Sequence, residues 1–372
     1  MSLNKEKKHN IAVVGASGLV GRKILQILEE YKIKINKLYL FSSPKSAGNL
    51  IYFNKKSYKL IELNKPNIDK IKNIDYVFFA AGGVVSKEYV SIFVDKGATV
   101  IDNSSRFRMV EGVPLVVPEV NPETLKNKKI ISNPNCSTIQ AVVALAPLHK
   151  RYKIKRIIFS TYQAVSGAGE RGGEDLKNQI LEYSNKTAQN DKNKKSTKLN
   201  KKSSQNMTLK NDSKSQAVAF QYPIFNNILP HIDVFCVDGY TREEYKMINE
   251  TRKILNDPDI KISATAVRVP IFNCHCESIN VEFEKQCDLN EIKKIFSNTK
   301  GIVLLDDTSK NIYPMPNMCV DKDEVFVGRI RIDETVPSGV NLFVVADNLR
   351  KGAATNAVQI LQILIDKKLK KF

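Results

Sequence analysis

The hydrophobic pattern changes period along the chain. Residues 10–14 (NIAVV) form a short apolar run of buried-strand type, followed by the glycine turn GASGLVG and then RKILQILEEY, whose apolar positions 24, 25, 27 and 28 share one helix face. Runs at 35–41 (INKLYLF), 76–81 (YVFFAA) and 98–103 (ATVIDN) predict further strands, with a helix in SKEYVSIFVDKG between the last two. Such alternation predicts an α/β fold with a parallel sheet covered on both faces, the Rossmann-type doubly wound arrangement. Beyond Arg156 the runs lengthen. IIFSTYQAV, DVFCVDG, ISATAVRV, SINVEFE and VFVGRIRID predict a mixed or antiparallel sheet, with helices at TREEYKMINETRKIL and LNEIKKIFS. The last strand, NLFVVADN, and the helix KGAATNAVQILQILIDKKL are expected to return to the first unit. Two domains follow: 1–135 completed by 346–372, and an α+β unit over 136–345.

One stretch fits neither period. From Tyr183 to Gln216 nine Lys stand against two Asp, a net +7 within the formal +19 of the 372 residues. It holds almost no apolar side chain to offset the entropy of ordering, so a flexible insertion outside the catalytic machinery is expected. The other +12 is spread as lysines without a basic stripe or interleaved aromatics, which argues against nucleic acid as a partner. No apolar run reaches the length of a membrane span. Six cysteines scattered through a large chain, behind a polar N-terminus with no export-type apolar segment, suit a reduced cytoplasmic protein better than a disulfide framework.

Gly15, Gly18 and Gly21 give the spacing GxxGxxG between a strand and a helix, in VGASGLVG. This variant of the dinucleotide fingerprint allows a tight turn and close approach of a pyrophosphate to a helix N-terminus, and the residues inside it, Ser17, Leu19 and Val20, are cofactor-binding candidates. The second strand would normally present an acid to a ribose 2′-OH. No Asp or Glu occurs from Tyr31 to Ile61; Ser43, Lys45 and Ser46 stand there instead and suit a 2′-phosphate, so the expected cofactor is NADP.

In SNPNCSTIQ, Pro134 disfavours helix at Asn133, Asn135 and Ser137 or Thr138 are capping types, and an apolar helical pattern starts at once. Cys136 is thus placed at a helix N-terminus, where free N–H groups and the helix dipole would lower a thiol pKa and stabilise an oxyanion. The other five cysteines lie in strand, tail or loop contexts. Of four histidines, His9 is in the tail, His149 lies more than three turns from the thiol and His231 follows a proline in a loop. His275 lies seven residues after Arg268, an odd spacing that would set them on opposite faces of one strand, unless Pro270 and Asn273 break it. Cys274 and Cys276 flank that histidine but supply no tetrahedral set, so no metal is expected.

Taken together, VGASGLVG, SNPNCSTIQ, STYQAVSGAG, YPIFNNILPHID, ATAVRVPIFNCHCES, FVGRIRID and DNLRKGAA resemble the aspartate-semialdehyde dehydrogenase family of the bacterial type over nearly the whole chain except 183–216. The resemblance implies a catalytic and dimerisation role for the second domain, a homodimer, and NADP-dependent interconversion of L-4-aspartyl phosphate and L-aspartate 4-semialdehyde, a step feeding diaminopimelate, lysine, threonine and methionine synthesis. It implies Cys136 as nucleophile, His275 as acid/base and Gln163 as the residue orienting the acyl group. It implies Arg268 on the substrate α-carboxylate, Arg108 and Lys246 on phosphate, and Glu243 on the amine, while Ser166, Gly167 and Asn348 (in DNLRKGAA) lie at the cofactor. Read without the family, Thr241 and Glu244 form a capping box and Glu243 with Lys246 is an ordinary helix-surface pair.

The chain departs from the pattern at Lys45, commonly Arg, at the cysteines flanking His275, and in the insertion, which replaces a segment near the dimer interface. N-acetyl-glutamyl-phosphate reductase shares the thiol and cofactor logic but needs no amine acceptor; an NADP-binding regulatory module would leave Cys136 inert.

Overall fold

The computed structural model describes residues 7–196 and 219–369. The first sheet contains β1 (His9–Val14), β2 (Ile35–Ser42), β5 (Ile61–Glu62), β6 (Tyr76–Phe79), β7 (Thr99–Asp102) and β8 (Ile130–Ser132), while β3 (Leu50–Phe53) and β4 (Lys56–Lys59) form a separate hairpin. Its order is β5-β2-β1-β6-β7-β8, with every pairing parallel. Strand alternation divides two cores. Ile11, Val13, Tyr76 and Phe78 pack with α1 (Leu19–Glu30) and the C-terminal helix α9 (Thr355–Leu369), whereas Ala12, Val14, Val77 and Phe79 pack with α2 (Lys65–Asp69) and α3 (Gly83–Asp95). Buried on both faces, these strands need the continuous apolar runs that the sequence shows.

The second sheet joins β9 (Ile154–Gln163), β10 (Lys261–Arg268), β11 (His275–Phe283), β12 (Ile302–Leu304), β13 (Val325–Ile332) and β14 (Gly339–Ala346) in the order β10-β9-β11-β14-β13-β12. It is mixed: β10 with β9 and β12 with β13 run parallel, the rest antiparallel. One face is covered by α4 (Cys136–Tyr152), α6 (Arg242–Leu255) and α7 (Leu289–Asn298), whose apolar residues share a core with Ile157, Phe159, Ile279 and Val281. Ile158 and Tyr162, on the other face of β9, are exposed.

Three expectations are corrected. NLFVVADN does not return to the first unit: its strand β14 lies inside the second sheet, between β11 and β13, and only the helix after it crosses back. DVFCVDG is not a strand but a tight excursion closed by the Cys236 N–H to Tyr240 O and Gly239 N–H to Cys236 O bonds, with Asp238 and Gly239 turning the chain too soon for more than the single Phe235–Thr241 bridge. The segment from Tyr183 to Ser196 is not an open loop, since α5 (Glu170–Ser196) runs through it; the helix is anchored upstream, where Leu176 and Ile180 pack with Ile224 and Phe225, and the Glu182–Lys186 pair forms at i, i+4. The rest of the insertion, 197–216, lies outside the described residues.

Candidate active site

Cys136 is the first residue of α4 because Asn135 ends the extended segment before it. The Asn135 Oδ1 accepts the Ser137 and Thr138 N–H groups at 3.0 and 3.2 Å, a helix cap of the asparagine kind. Its Nδ2 donates to Glu243 Oε1 at 2.8 Å, and its backbone N–H donates to Glu250 Oε2 at 2.7 Å. Gln163, the last residue of β9, donates to the same Glu243 oxygen at 3.2 Å. Lys246 lies one turn along α6 and donates to Glu243 Oε2 at 3.0 Å and to Asp233 at 2.7 Å. The capping box of Thr241 and Glu244 is formed, fixing the start of α6 and so the height of Glu243. Glu243 is buried, not a surface decoration.

Arg268 and His275 are brought together despite their odd spacing, because β10 stops at Arg268 and β11 starts afresh at His275. Between them Cys274 takes a left-handed conformation, φ 71°. Both side chains crowd Gly167, where a Cβ would sit 2.6 Å from Arg268 Nη1 and 3.3 Å from His275 Nε2; glycine is required by that approach. The His275 Nδ1 accepts the Ala164 N–H at 3.0 Å, while its Nε2 is buried and makes no hydrogen bond. Arg268 donates to Ala164 O at 2.7 Å. Asn348 accepts the Cys274 N–H at 3.0 Å and donates to Ser166 Oγ at 3.0 Å, so it ties the Ser166–Gly167 turn to the histidine strand.

Cys136, Gln163, Gly167, Glu243, Lys246 and Arg268 line one cavity of about 990 Å³, together with Arg108, Gly82 and Gly83. Arg108 is engaged by Glu250 at 2.9 Å and by Asn103 O, with its Nε left unpartnered. Asn135 and Glu250 are site residues that the sequence reading left out. The signal was present in α6, where 243, 246 and 250 recur at i, i+3 and i+7 along one face.

The thiol is not lowered in pKa as its helix position suggested. Burial and the Glu243 carboxylate push it up to about 12, against the opposing pull of Arg268, Arg108 and the Ser137 N–H. Asn135 also accepts the Ser137 and Thr138 N–H groups, so the Ser137 N–H is shared between the cap and the sulfur and its pull on the thiol is small beside burial. Burial and the Arg268 charge hold His275 down at about 3, leaving a neutral ring at neutral pH. Burial alone would raise Glu243, but Lys246 and the amide donors of Asn135 and Gln163 hold it at about 2, as a carboxylate.

At the carboxyl ends of β1 and β6, where the strand order reverses, lies the glycine turn. Gly15 has φ +83°, and its missing Cβ would lie 2.5 Å from Ala80 O; a Cβ at Gly21 would lie 2.2 Å from Gly15 O. At Gly18 a Cβ meets only Gly15 O, at 3.5 Å. The protein itself has room there for a side chain, which fits a bound group needing the backbone of Gly18 bare. Leu19 and Val20 open α1 beside it, half-buried. A second cavity of about 530 Å³ is lined by Ser17, Gly18, Ser46 and Arg22, the last not anticipated from sequence. Ser43 and Lys45 are exposed on the adjoining turn and do not line it.

Two family models divide the chain. The one described as semialdehyde dehydrogenase, NAD binding domain, matches residues 10–128, and the one described as semialdehyde dehydrogenase, dimerisation domain, matches 145–351. The aspartate-semialdehyde dehydrogenase of Aquifex aeolicus is 48% identical over 360 residues, 96% of this chain and 98% of that protein. The chain belongs to the aspartate-semialdehyde dehydrogenase family. The Campylobacter jejuni member is 42% identical, over 98% of this chain and 99% of its own. Aspartate semialdehyde dehydrogenase II of Vibrio cholerae, one of whose two structures is complexed with ASA, superposes with a TM-score of 0.85 at 38% identity, covering 97% of this chain and 99% of that one. The chain is accordingly an oxidoreductase of amino-acid biosynthesis with aspartate-semialdehyde dehydrogenase activity, an NAD(P)-binding domain and a dimerisation domain. No described helix is long and apolar enough to cross a membrane.

Proposed function

We propose that the chain interconverts L-aspartate 4-semialdehyde and L-4-aspartyl phosphate, using NADP and inorganic phosphate, through a thioester on Cys136. The observation that carries this reading is the joint at Asn135, which sets the Cys136 thiol and the ionised Glu243 carboxylate at fixed distance in one cavity. A substrate with an ammonium near a reactive carbonyl matches that pair, and an N-acylated substrate does not.

Glu243 accepts the substrate ammonium and Arg268 holds its α-carboxylate by the donors not used on Ala164 O. The Cys136 sulfur adds to the aldehyde carbon and the carbonyl oxygen gains a proton, giving a hemithioacetal. Loss of hydride from that carbon and of the hydroxyl proton leaves the thioester. A phosphate oxygen then adds to the acyl carbon, the C–S bond breaks, and the thiol is regenerated as aspartyl phosphate leaves. His275 Nε2, the unsatisfied buried nitrogen, exchanges the proton at the substrate oxygen. Gln163 orients the acyl group, and Arg108 and Lys246 attract the phosphate. The bound dinucleotide supplies the hydride acceptor.

Arg22 and Ser46 supply a guanidinium and a hydroxyl at a cavity whose one acid, Glu170, lies 3.7 Å from Arg22, and with Ser43 and Lys45 exposed on the adjoining turn they favour a 2′-phosphate over a free ribose hydroxyl. Gly82 and Gly83 line the Cys136 cavity, so a ligand spanning the ends of β1 and β6 reaches the thiol. The exposed face of β9, with Ile158 and Tyr162, supports a homodimer built on the second sheet. In this reading the product feeds diaminopimelate, lysine, threonine and methionine synthesis. Purified protein with L-aspartate 4-semialdehyde and NADP should form NADPH only when phosphate is added. Phosphate-independent turnover, or equal turnover of an N-acetylated semialdehyde, would refute the reading.

A further inference from the structure

Among the described residues, Glu277 is a fully enclosed acid with no assigned task. It is fully buried, and neither carboxyl oxygen makes a hydrogen bond. It lies two residues beyond His275 on β11, so both side chains leave the same face of the strand. That face is turned to α4, because Ile279 and Val281 in the same alternation pack in the core that α4 fills. On α4, Gln140 lies one turn beyond Cys136, on the same side of the helix. Two layers result: the thiol level, with Cys136 and His275, and beneath it a level of Gln140 and Glu277.

The lower level is unsatisfied in a specific way. Gln140 Nε2 donates to the backbone O of His275 at 3.3 Å, which leaves Gln140 Oε1 buried and without a donor. The amide lies close enough to act on the Glu277 carboxyl, although no hydrogen bond of ordinary geometry joins them. An ionised Glu277 could accept the second N–H of Gln140 but would still leave Gln140 Oε1 with no donor. An un-ionised carboxyl has an O–H, the one donor this arrangement lacks, and a small rotation would close the chain from Glu277 O–H to Gln140 Oε1, and from Gln140 Nε2 to His275 O. Burying a carboxylate without a counter-ion is also costly, so the group gains its proton instead. We propose that Glu277 is a positioning residue that stays un-ionised and, through Gln140, fixes the backbone at His275. Burial drives its pKa well above the ordinary range against a smaller opposing pull from the Gln140 amide, and the Glu243 charge acts in the same direction as burial. The catalytic consequence rests on the assignment of His275 to proton exchange; the protonation of Glu277 does not.

The test compares the wild type with Glu277→Gln, Glu277→Ala and His275→Asn in full-length protein. Infrared difference spectroscopy at pH 8 should show the carbonyl stretch of an un-ionised carboxylic acid that disappears in Glu277→Gln; a carboxylate band in its place would overturn the proposal whatever the variants do kinetically. Glu277→Gln, which can also donate to Gln140, should keep turnover and the wild-type pH profile. Glu277→Ala should lower kcat about tenfold or more with KM for the semialdehyde unchanged, the effect of a displaced proton-exchange group. Equal loss in the Gln and Ala variants, or none in Ala, would overturn the positioning role. Wild-type turnover in His275→Asn would instead remove the His275 assignment, and the infrared band would still decide the state of Glu277.

Discussion

Replacing Glu243 by Gln removes one buried negative charge while keeping the shape of the group and its contact with Asn135. The carboxyl shifts from an ordinary 4.5 to about 2 in the folded protein. At about 1.4 kcal/mol per unit, a depression of this size corresponds to roughly 3 kcal/mol of folding stability. The sign follows from which state binds protons more readily. Near pH 3 the unfolded chain takes up the proton and the folded chain resists it, so the contribution is complete above about pH 4.5 and is lost as pH falls through about 2. The wild type should therefore lose stability over that window faster than Glu243→Gln. Urea unfolding followed by far-ultraviolet circular dichroism suits a protein without tryptophan. The difference between the two proteins should change by roughly 3 kcal/mol between pH 5 and pH 2. The same variant should lose about 1.5–3 kcal/mol of interaction with the substrate ammonium, lowering kcat/KM by about tenfold to a hundredfold or more. A stability difference that stays flat with pH would mean that Glu243 is not held ionised by Lys246, Asn135 and Gln163, and the account of the site would fall with it.

Other outcomes follow from the same geometry. Cys136→Ser should bind the cofactor normally in fluorescence titration but lose about a thousandfold or more in kcat, because an alkoxide is far harder to form than a thiolate; turnover near that of the parent would exclude the covalent step. Arg22→Glu and Lys45→Glu should each raise KM for NADP while leaving KM for NAD nearly unchanged, and a parent enzyme using both cofactors equally would show that this turn is not a phosphate site. Gly18→Ala should fold with a normal melting temperature yet bind the dinucleotide poorly, whereas Gly21→Ala, whose Cβ would fall 2.2 Å from Gly15 O, should lower the melting temperature first. Matching melting temperatures for the two variants would contradict that division.

Periodicity carried the parallel sheet well, because strands buried on both faces, such as Val77 to Phe79, have no choice but to be apolar throughout. It failed at DVFCVDG, where the same apolar content serves the cavity wall through Val234 and Phe235 and pairing stops at the one Phe235–Thr241 bridge. It also failed at NLFVVADN, since an apolar run does not say which sheet it joins. At the active site the motifs named Cys136, Gln163, Glu243, Arg268 and His275 by resemblance. Position along the chain showed why Cys136 starts a helix. What could not be read was the electrostatic balance at the thiol, which depends on its burial, on Glu243, more than a hundred residues away, and on Asn135 sharing the Ser137 N–H. Nor could Arg22 be connected with Ser46 before the turn at Pro44–Ser46 was placed against α1.

The raised thiol also bears on how the protein ages. Peroxide and other electrophiles attack the sulfur in its ionised form, and a sulfur carried onward to the sulfinic state is lost for good. A resting Cys136 kept protonated by burial and by Glu243 is a poor target for them. In the proposed function a substrate ammonium covers Glu243, which would cancel the charge opposing ionisation at the moment a carbonyl lies within reach. On that proposal the carboxylate proposed to recognise the substrate would also act as a safety catch on the proposed nucleophile, and chemical wear should fall mainly on enzyme at work, not on enzyme in storage.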